Sequence, residues 1–267
     1  PFLHGPHWAC AMETAIRLTN WVFYLPWLDV PKLSNTDFLN KLATSLLEHL
    51  IFIRENLEVY LPHSNNHYLA NLAGLLLAPR IFPSLPWARK CASFAKSELE
   101  KEILIQFHKI GINFEGSLSY HRLSSEICLI ALALIRQGDC NVTFPIFERL
   151  GQAAMFTKYY GEACDEIPLI GDNDSGIFVK FFPRQESHHH KYLGFLFDRI
   201  LHEKGQPRDF NEFLCSIHFG DTDRPDAGEK DRNQNSAESL EVKDFDGLVI
   251  ARHKNEALFF NTLQSCE

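Results

Sequence analysis

A mainly helical body followed by a short run of strands is the fold this sequence predicts, on three observations. Apolar residues recur at helical spacing in segment after segment. Proline and glycine punctuate those segments. Past Gly220 the pattern turns polar and then alternates with period two. With 267 residues, 45% of them hydrophobic, the chain is long enough to bury a large core.

Residues 8–25, WACAMETAIRLTNWVFYL, place Met12, Ala15, Ile16 and Thr19 at helical spacing, and Pro26 and Pro31 break the run. Residues 36–57 form a second helix with Phe38, Leu42, Leu46, Leu50 and Ile53 on one stripe and Thr36 or Asp37 at its start. A short, very apolar helix follows from Asn66 to Ala78, closed by Pro79. Residues 86–110 read as a long amphipathic helix, with Pro86 in its first turn and Gly111 at its end. Its inward face carries Trp87, Cys91, Phe94, Leu99, Ile103 and Phe107. Further helices are expected over 120–136 and 144–158, and weaker ones over 187–203 and 208–215. Between these groups, IPLIGDNDSGIFVKF is a Gly- and Asp-rich loop with a strand-like tail.

These spacings divide the chain into a helical domain (1–219), a polar exposed linker (220–243) and the start of an all-β domain (244–267). In the last part, DFDGLVIARHKNEALFF alternates into two strands around an HKNE turn. Antiparallel helices of this length, each apolar on its inner face, suggest an array of helical hairpins.

A formal net charge of -8, from 26 Lys and Arg against 34 Asp and Glu, leaves no basic nucleic-acid footprint. No signal peptide or long apolar span is visible, so no membrane insertion is expected. A start at Pro1 reads as a piece of a longer polypeptide, and nothing in the pattern sets an oligomeric state. Seven scattered cysteines without a CxxC pair fit neither a disulfide framework nor a zinc knuckle. Cys91 and Cys128 fall on apolar helix faces, as small hydrophobes do.

Three stretches carry more polar chemistry than folding requires. HSNNHYLAN contains Asn65, Asn66 and His67 just ahead of a buried helix. NFEGSLSYHRLSSE brings Glu115, Tyr120, His121 and Arg122 to another helix start, and IGDNDSG holds Asp172 and Asp174. Each residue has a plain structural explanation. Asn65 caps a helix; His67 and His121 are part-buried histidines; Tyr120 is a rim aromatic; GDNDSG is an Asx turn lacking the distal acid of an EF-hand loop. The run SHHHK, residues 187–191, reads as a solvated face, because consecutive helical side chains diverge.

Together on separate loops, these residues favour a site. An amide donates to a carboxylate without adding charge, and a phenol beside His121 and Arg122 is expected to have its phenolate stabilised. That pairing suits abstraction of a proton alpha to a carboxyl group. In a polysaccharide the reaction is removal of the C5 proton of a uronic acid and expulsion of the 4-linked sugar. Hydrolysis is the competitor and needs paired carboxylates, for which Glu115, Asp172 and Asp174 are available. A glycan-binding module without turnover is a third possibility.

PHWACAMETAIRLTNWVFYL, SNNHYLANLAGLLLA, NFEGSLSYHRLSSE and IGDNDSG stand in the order and rough spacing of the heparinase II/III-like polysaccharide lyases. The resemblance runs from about Pro6 to Gly176, and DFDGLVIAR resembles the first strand of that family's β-sandwich. It implies an incomplete (α/α) toroid followed by an antiparallel sandwich, with the active cleft between them. It also implies β-elimination on an acidic, uronate-containing polysaccharide, no cofactor, and a bacterial envelope or periplasmic setting. By position, Asn66 neutralises the uronate carboxylate with His67 beside it, and Tyr120 is the catalytic acid or acid and base. Asn65, Glu115, His121, Arg122, Trp8 and Asp172 fall in supporting or substrate-binding positions. Glu13, Arg17 and Asn20 either shape the cleft or tie helices together. The family places further catalytic residues, often a His, beyond the first sandwich strands, so this chain is expected to hold part of the cleft. With Arg122 the one arginine or lysine in the three stretches, a non-sulfated uronan is the expected substrate.

Overall fold

The computed structural model describes residues 4–25, 36–136, 142–163, 167–180, 190–198, 200, 241–245, 248–253 and 256–261. Among the described residues, a 3-10 turn at Pro6–Trp8 is followed by eight α-helices. They are α1 (Ala11–Tyr24), α2 (Thr36–Glu55), α3 (Asn66–Leu75), α4 (Ala78–Ile81), α5 (Pro86–Gln106), α6 (Leu118–Arg136), α7 (Phe144–Ala163) and α8 (Lys191–Phe197). Three strands follow, β1 (Glu241–Phe245), β2 (Leu248–His253) and β3 (Glu256–Asn261). Helices pack on sequence neighbours, such as α1 on α2 and α7 on α8, and on helices two further along, α1 on α3, α3 on α5, α5 on α7 and α6 on α8, while α3 also packs on α6. That is the pattern of hairpins laid side by side.

At the centre lies α3, a helix of ten residues that is too short to be stable alone. Burial holds it. Leu69, Leu72 and Leu75 are fully buried, and each such side chain contributes about 1.5–3 kcal/mol. Gly74 permits the crossing with α1, since a Cβ there would sit 3.0 Å from the Cβ of Ala15. Helix α6 is long and apolar enough to cross a membrane by length and composition, yet 89% of its apolar window is buried within the protein. It is a core helix.

Several boundaries differ from the sequence expectation for definable reasons. Pro79 does not end α3; it sits in the first turn of the separate helix α4, where its missing N–H costs nothing. Helix α5 stops at Gln106, because Phe107 becomes extended and pairs with Asn113 across a tight turn. Gly111 makes that turn at φ 92°, with its Cα face pressed on the backbone of α7. On α2, Phe38 is exposed, and the buried face is Leu46, His49, Leu50, Phe52 and Ile53. Residues 208–215 lie outside the described residues.

The tail expected to be strand-like, around residues 177–180, is not a strand. Side chains take the place of a ladder there. Asn20 donates to Phe178 O (2.8 Å) and accepts from Lys180 N (3.1 Å), while Glu126 accepts from Val179 N (2.8 Å). In the run SHHHK, His190 is buried, with its Nδ1 2.7 Å from the Tyr160 hydroxyl, so that residue is not part of a solvated face.

Strands β1, β2 and β3 form one antiparallel sheet in sequence order. Glu241 pairs with Arg252, and His253 with Glu256. Strand β1 begins at Glu241, inside the stretch whose composition suggested linker. Leu248 and Ile250, two apart on β2, face inward against Ile112, Leu118, Phe156 and Tyr160. The sheet therefore rests on both ends of the loop that carries Glu115.

A Cβ at residue 111 would lie 2.2 Å from the carbonyl carbon of Gln152, on a backbone that already disfavours L side chains. Gly111→Ala is expected to lower unfolding stability by about 3 kcal/mol in a denaturant titration. An unchanged midpoint would show that α5 and α7 are not held at that distance.

Candidate functional site

Helix α3 opens with Asn65 as its N-cap, the Oδ1 accepting from His67 N at 3.1 Å. That leaves the N–H of Asn66, at the first helical position, without an intrahelical acceptor. The carboxylate of Glu115 fills the place. Asn66 N donates to Glu115 Oε1 at 3.3 Å, and Asn66 Nδ2 lies 3.1 and 2.9 Å from Oε1 and Oε2. A carboxylate at a helix start is also favoured by the helix dipole. Burial nevertheless pushes the Glu115 carboxyl above its ordinary value; the Asn66 hydrogen bonds oppose this, and nearby Asp174 adds to it.

Glu115 is presented by a loop that is pinned at several points. Asn113 Oδ1 accepts from Glu115 N (3.1 Å), and Gly116 turns the chain at φ 68°. Ser117 then caps α6 by accepting from Tyr120 N (3.2 Å), and its hydroxyl donates to Asp172 O (2.5 Å). Gly171, at φ 74°, lets the IGDNDSG loop close on Ser117, where a Cβ would come within 2.6 Å of the Ser117 Cα. Within that loop, Asn173 and Asp174 accept from backbone N–H groups two residues on, so it is a series of Asx turns.

Tyr120, part-buried, stands at this junction with its hydroxyl 3.5 Å from Asp172 Oδ2. Its pKa is pushed up to about 12, first by burial and then by the charges of Asp174, Asp172 and Glu115. The sequence had suggested the opposite, a phenolate stabilised by His121 and Arg122. Both of those side chains turn into the core. His121 is fully buried, its Nδ1 accepting from Asn113 N (3.3 Å) and its Nε2 2.8 Å from Thr157 Oγ1. Desolvation pulls its pKa down to about 3, so it is neutral. Arg122 is buried too, donating to Glu126 Oε2 (2.9 Å), to the Tyr192 hydroxyl (3.0 Å) and to Gly176 O. Successive residues on a helix point about 100° apart. That is why Tyr120 faces the groove and its two neighbours do not.

His67 lies beside Asn66 and is half-buried. Its Nδ1 is 3.0 Å from Glu58 Oε1. That hydrogen bond, against the effect of burial, raises the His67 pKa above 6.5, and the charges of Glu58, Glu115 and Asp174 act in the same direction. Glu58 is the residue that the sequence patterns missed. It follows α2 in a loop with no recognisable motif, and only the fold brings it to His67. Its other oxygen accepts from Met12 N (2.7 Å) and Asn71 Nδ2 (3.1 Å).

Trp8 packs on His49 and Phe52, with the Arg17 guanidinium 5.7 Å from its ring centroid. Arg17 Nε in turn donates to His49 Nε2 at 2.9 Å. Trp8, Arg17 and Asn20 thus tie helices and loops together. Asn65 serves the site indirectly, through its cap. The structure gathers Asn66, His67, Glu115, Tyr120, Asp172 and Asp174 into one polar cluster.

Comparison with known proteins adds an independent line. The family profile of the Heparinase II/III N-terminus matches residues 5–176, well over half of the chain. No sequence among curated proteins matches. A solved structure titled "Crystal Structure of Heparinase III" superposes with a TM-score of 0.65 at 15% sequence identity, covering 96% of this chain. The chain covers 37% of that structure's length. At that identity the likeness shows the fold alone, a mainly helical toroid of hairpins.

The Glu58 contact has a pH signature. A His whose pKa is raised in the folded state contributes stability that is complete below the unfolded value and is lost as pH rises through the folded one. Glu58→Gln is expected to bring the His67 titration, followed by imidazole NMR, back down toward 6.5. It should also remove this contribution from the pH dependence of unfolding. A titration midpoint that does not move would rule out the Glu58 contact as its cause.

Proposed function

Because the chain belongs to the heparinase II/III family, we propose that it is the helical part of a polysaccharide lyase that cleaves a uronic-acid-containing polymer by β-elimination. The observation that carries this reading is the Asn66 carboxamide. It already contacts both oxygens of a carboxylate, and Tyr120 lies within electrostatic reach of that same carboxylate.

In the proposed reaction, the uronate carboxylate takes the Asn66 amide as its partner, with the His67 side chain beside it. Burial already raises the Glu115 carboxyl above its ordinary value, and a second carboxylate beside it pushes in the same direction, toward the form that can donate. Removal of the C5 proton moves charge onto the uronate oxygens, where the Asn66 hydrogen bonds strengthen as that charge develops. The C5–H electron pair forms the C4–C5 double bond, and the C4–O bond breaks. Tyr120 protonates the departing oxygen. With its pKa pushed up to about 12, the phenol keeps its proton at neutral pH, so proton donation is the role its surroundings favour. It accepts the C5 proton only when already deprotonated; otherwise a second base takes that half of the reaction.

Burial of Arg122 against Glu126 removes from the groove the one arginine or lysine that the three stretches offered. That supports a non-sulfated uronan over a sulfated one.

The raised Glu115 carboxyl also suits the general acid of a glycosidase, so the test must separate elimination from hydrolysis. Full-length protein incubated with a panel of uronans should generate ultraviolet absorbance from the conjugated double bond. Asn66→Ala and Tyr120→Phe should each reduce that rate by about 10²–10⁴-fold with the fold retained. Glu115→Gln should leave measurable turnover. Saturated products together with an inactive Glu115→Gln would establish hydrolysis instead. Full activity in both of the first two variants would remove Asn66 and Tyr120 from the mechanism.

A further inference from the structure

Beside Asn66, and sharing His67 with the site described above, lies a second cluster that the elimination chemistry does not use in full. Cys10, at the start of α1, has its Sγ 3.5 Å from Glu58 Oε1. The same oxygen is 3.0 Å from His67 Nδ1. The thiol sulfur, the carboxylate oxygen and the imidazole nitrogen all lie within 4.8 Å of one another. Cys10 is 48 residues from Glu58, and Glu58 nine from His67, a spacing that matches no metal motif.

We propose that Cys10, Glu58 and His67 form a binding site for a divalent transition metal of the zinc class. The donor set is the first reason. A thiolate with an imidazole selects zinc-like ions, whereas calcium and magnesium take oxygen ligands. The spacing is the second. Bonds of about 2.0–2.3 Å at tetrahedral angles set ligand atoms about 3.3–3.6 Å apart. The sulfur-to-oxygen distance already meets that, and the oxygen-to-nitrogen distance needs to open by a few tenths of an ångström.

Preorganisation is the third reason. Glu58 Oε2 is held by Met12 N (2.7 Å) and Asn71 Nδ2 (3.1 Å), which leaves Oε1 aimed at the thiol and the imidazole. Such outer contacts orient a metal-binding carboxylate. Asn71 also accepts from Glu58 N (2.8 Å), so side chain and backbone are fixed together. Charge is the fourth. A thiolate and a carboxylate in contact repel, and burial together with Glu58 keeps the Cys10 thiol protonated above its ordinary value. A divalent ion replaces the thiol proton and the proton that His67 shares with Glu58, and neutralises the two anions. Three protein ligands leave a fourth position open.

Metal and protons compete for the same atoms, so affinity should rise with pH. Binding also cross-links the start of α1, the segment after α2 and the first turn of α3.

The test uses Co²⁺ as a spectroscopic stand-in for Zn²⁺, on the chain without polysaccharide, so its outcome is independent of the lyase reading. The wild type should take up one equivalent with a thiolate-to-cobalt charge-transfer band, and should melt at a higher temperature with Zn²⁺ than without. Cys10→Ser should abolish the band, and Glu58→Gln should weaken binding by at least about tenfold. Circular dichroism checks that both variants fold. A second readout needs no variant: Zn²⁺ should slow alkylation of Cys10, followed by peptide mass spectrometry. A band that survives in Cys10→Ser, a wild type that shows none, or Cys10 alkylation indifferent to Zn²⁺ would each overturn the site.

Discussion

The contact between Asn66 and Glu115 is the constraint on which the groove depends. It joins the first turn of α3 to the loop ahead of α6, two segments 49 residues apart in the chain. Asn66 is almost fully buried, so its amide and its helix-start N–H both need an acceptor. Hydrogen bonds to an ionised partner contribute about 1.5–3 kcal/mol, and leaving such groups unpaired costs about as much. One carboxylate meets both needs. Everything else in the groove is placed relative to it: Tyr120 through Ser117, Asp172 through the same serine, and His67 through the helix that Asn65 caps.

Behind that groove the protein keeps its charges in closed sets. Arg122 and Glu126 lie one turn apart on the buried face of α6 and are joined by Tyr192 of α8. Glu126 also takes the N–H of Val179, which fixes the chain just after the IGDNDSG loop. A buried ion pair of this kind is weak evidence for net stability, because desolvation opposes the Coulombic gain. Its evident effect is geometric. It locks the direction of α6, and with it the face on which Tyr120 emerges.

Much of this was legible in the sequence. Helical periodicity located the longer helices, the polar surplus singled out Asn66, Glu115 and Tyr120, and Asn65 was readable as a cap. What could not be read has a common physical cause: the decisive partner came from a distant segment. Glu58 looks like any loop glutamate until α3 brings His67 against it. The stretch around residue 179 looks like a strand because it is apolar, but its backbone groups are satisfied by Asn20 and Glu126. Tyr120, His121 and Arg122 are contiguous in sequence and so invited a shared role. Helical geometry sends them to three different environments, and only one of these is the groove.

That separation alters the chemistry assigned to the phenol. With basic neighbours it would be a candidate phenolate. With Asp172, Asp174 and Glu115 around it, each negative charge resists ionisation of the hydroxyl, and burial adds to their effect. On the lyase reading, an anionic sugar entering the groove strengthens the same bias until Asn66 takes up its carboxylate. On that reading, burial first and the acidic neighbours second favour Tyr120 as the proton donor to the departing oxygen. His67, next to Asn66, is held by Glu58, whose hydrogen bond raises its pKa. On the same reading, one sugar ring meets the Asn66 amide at its carboxylate and the Tyr120 hydroxyl at its glycosidic oxygen.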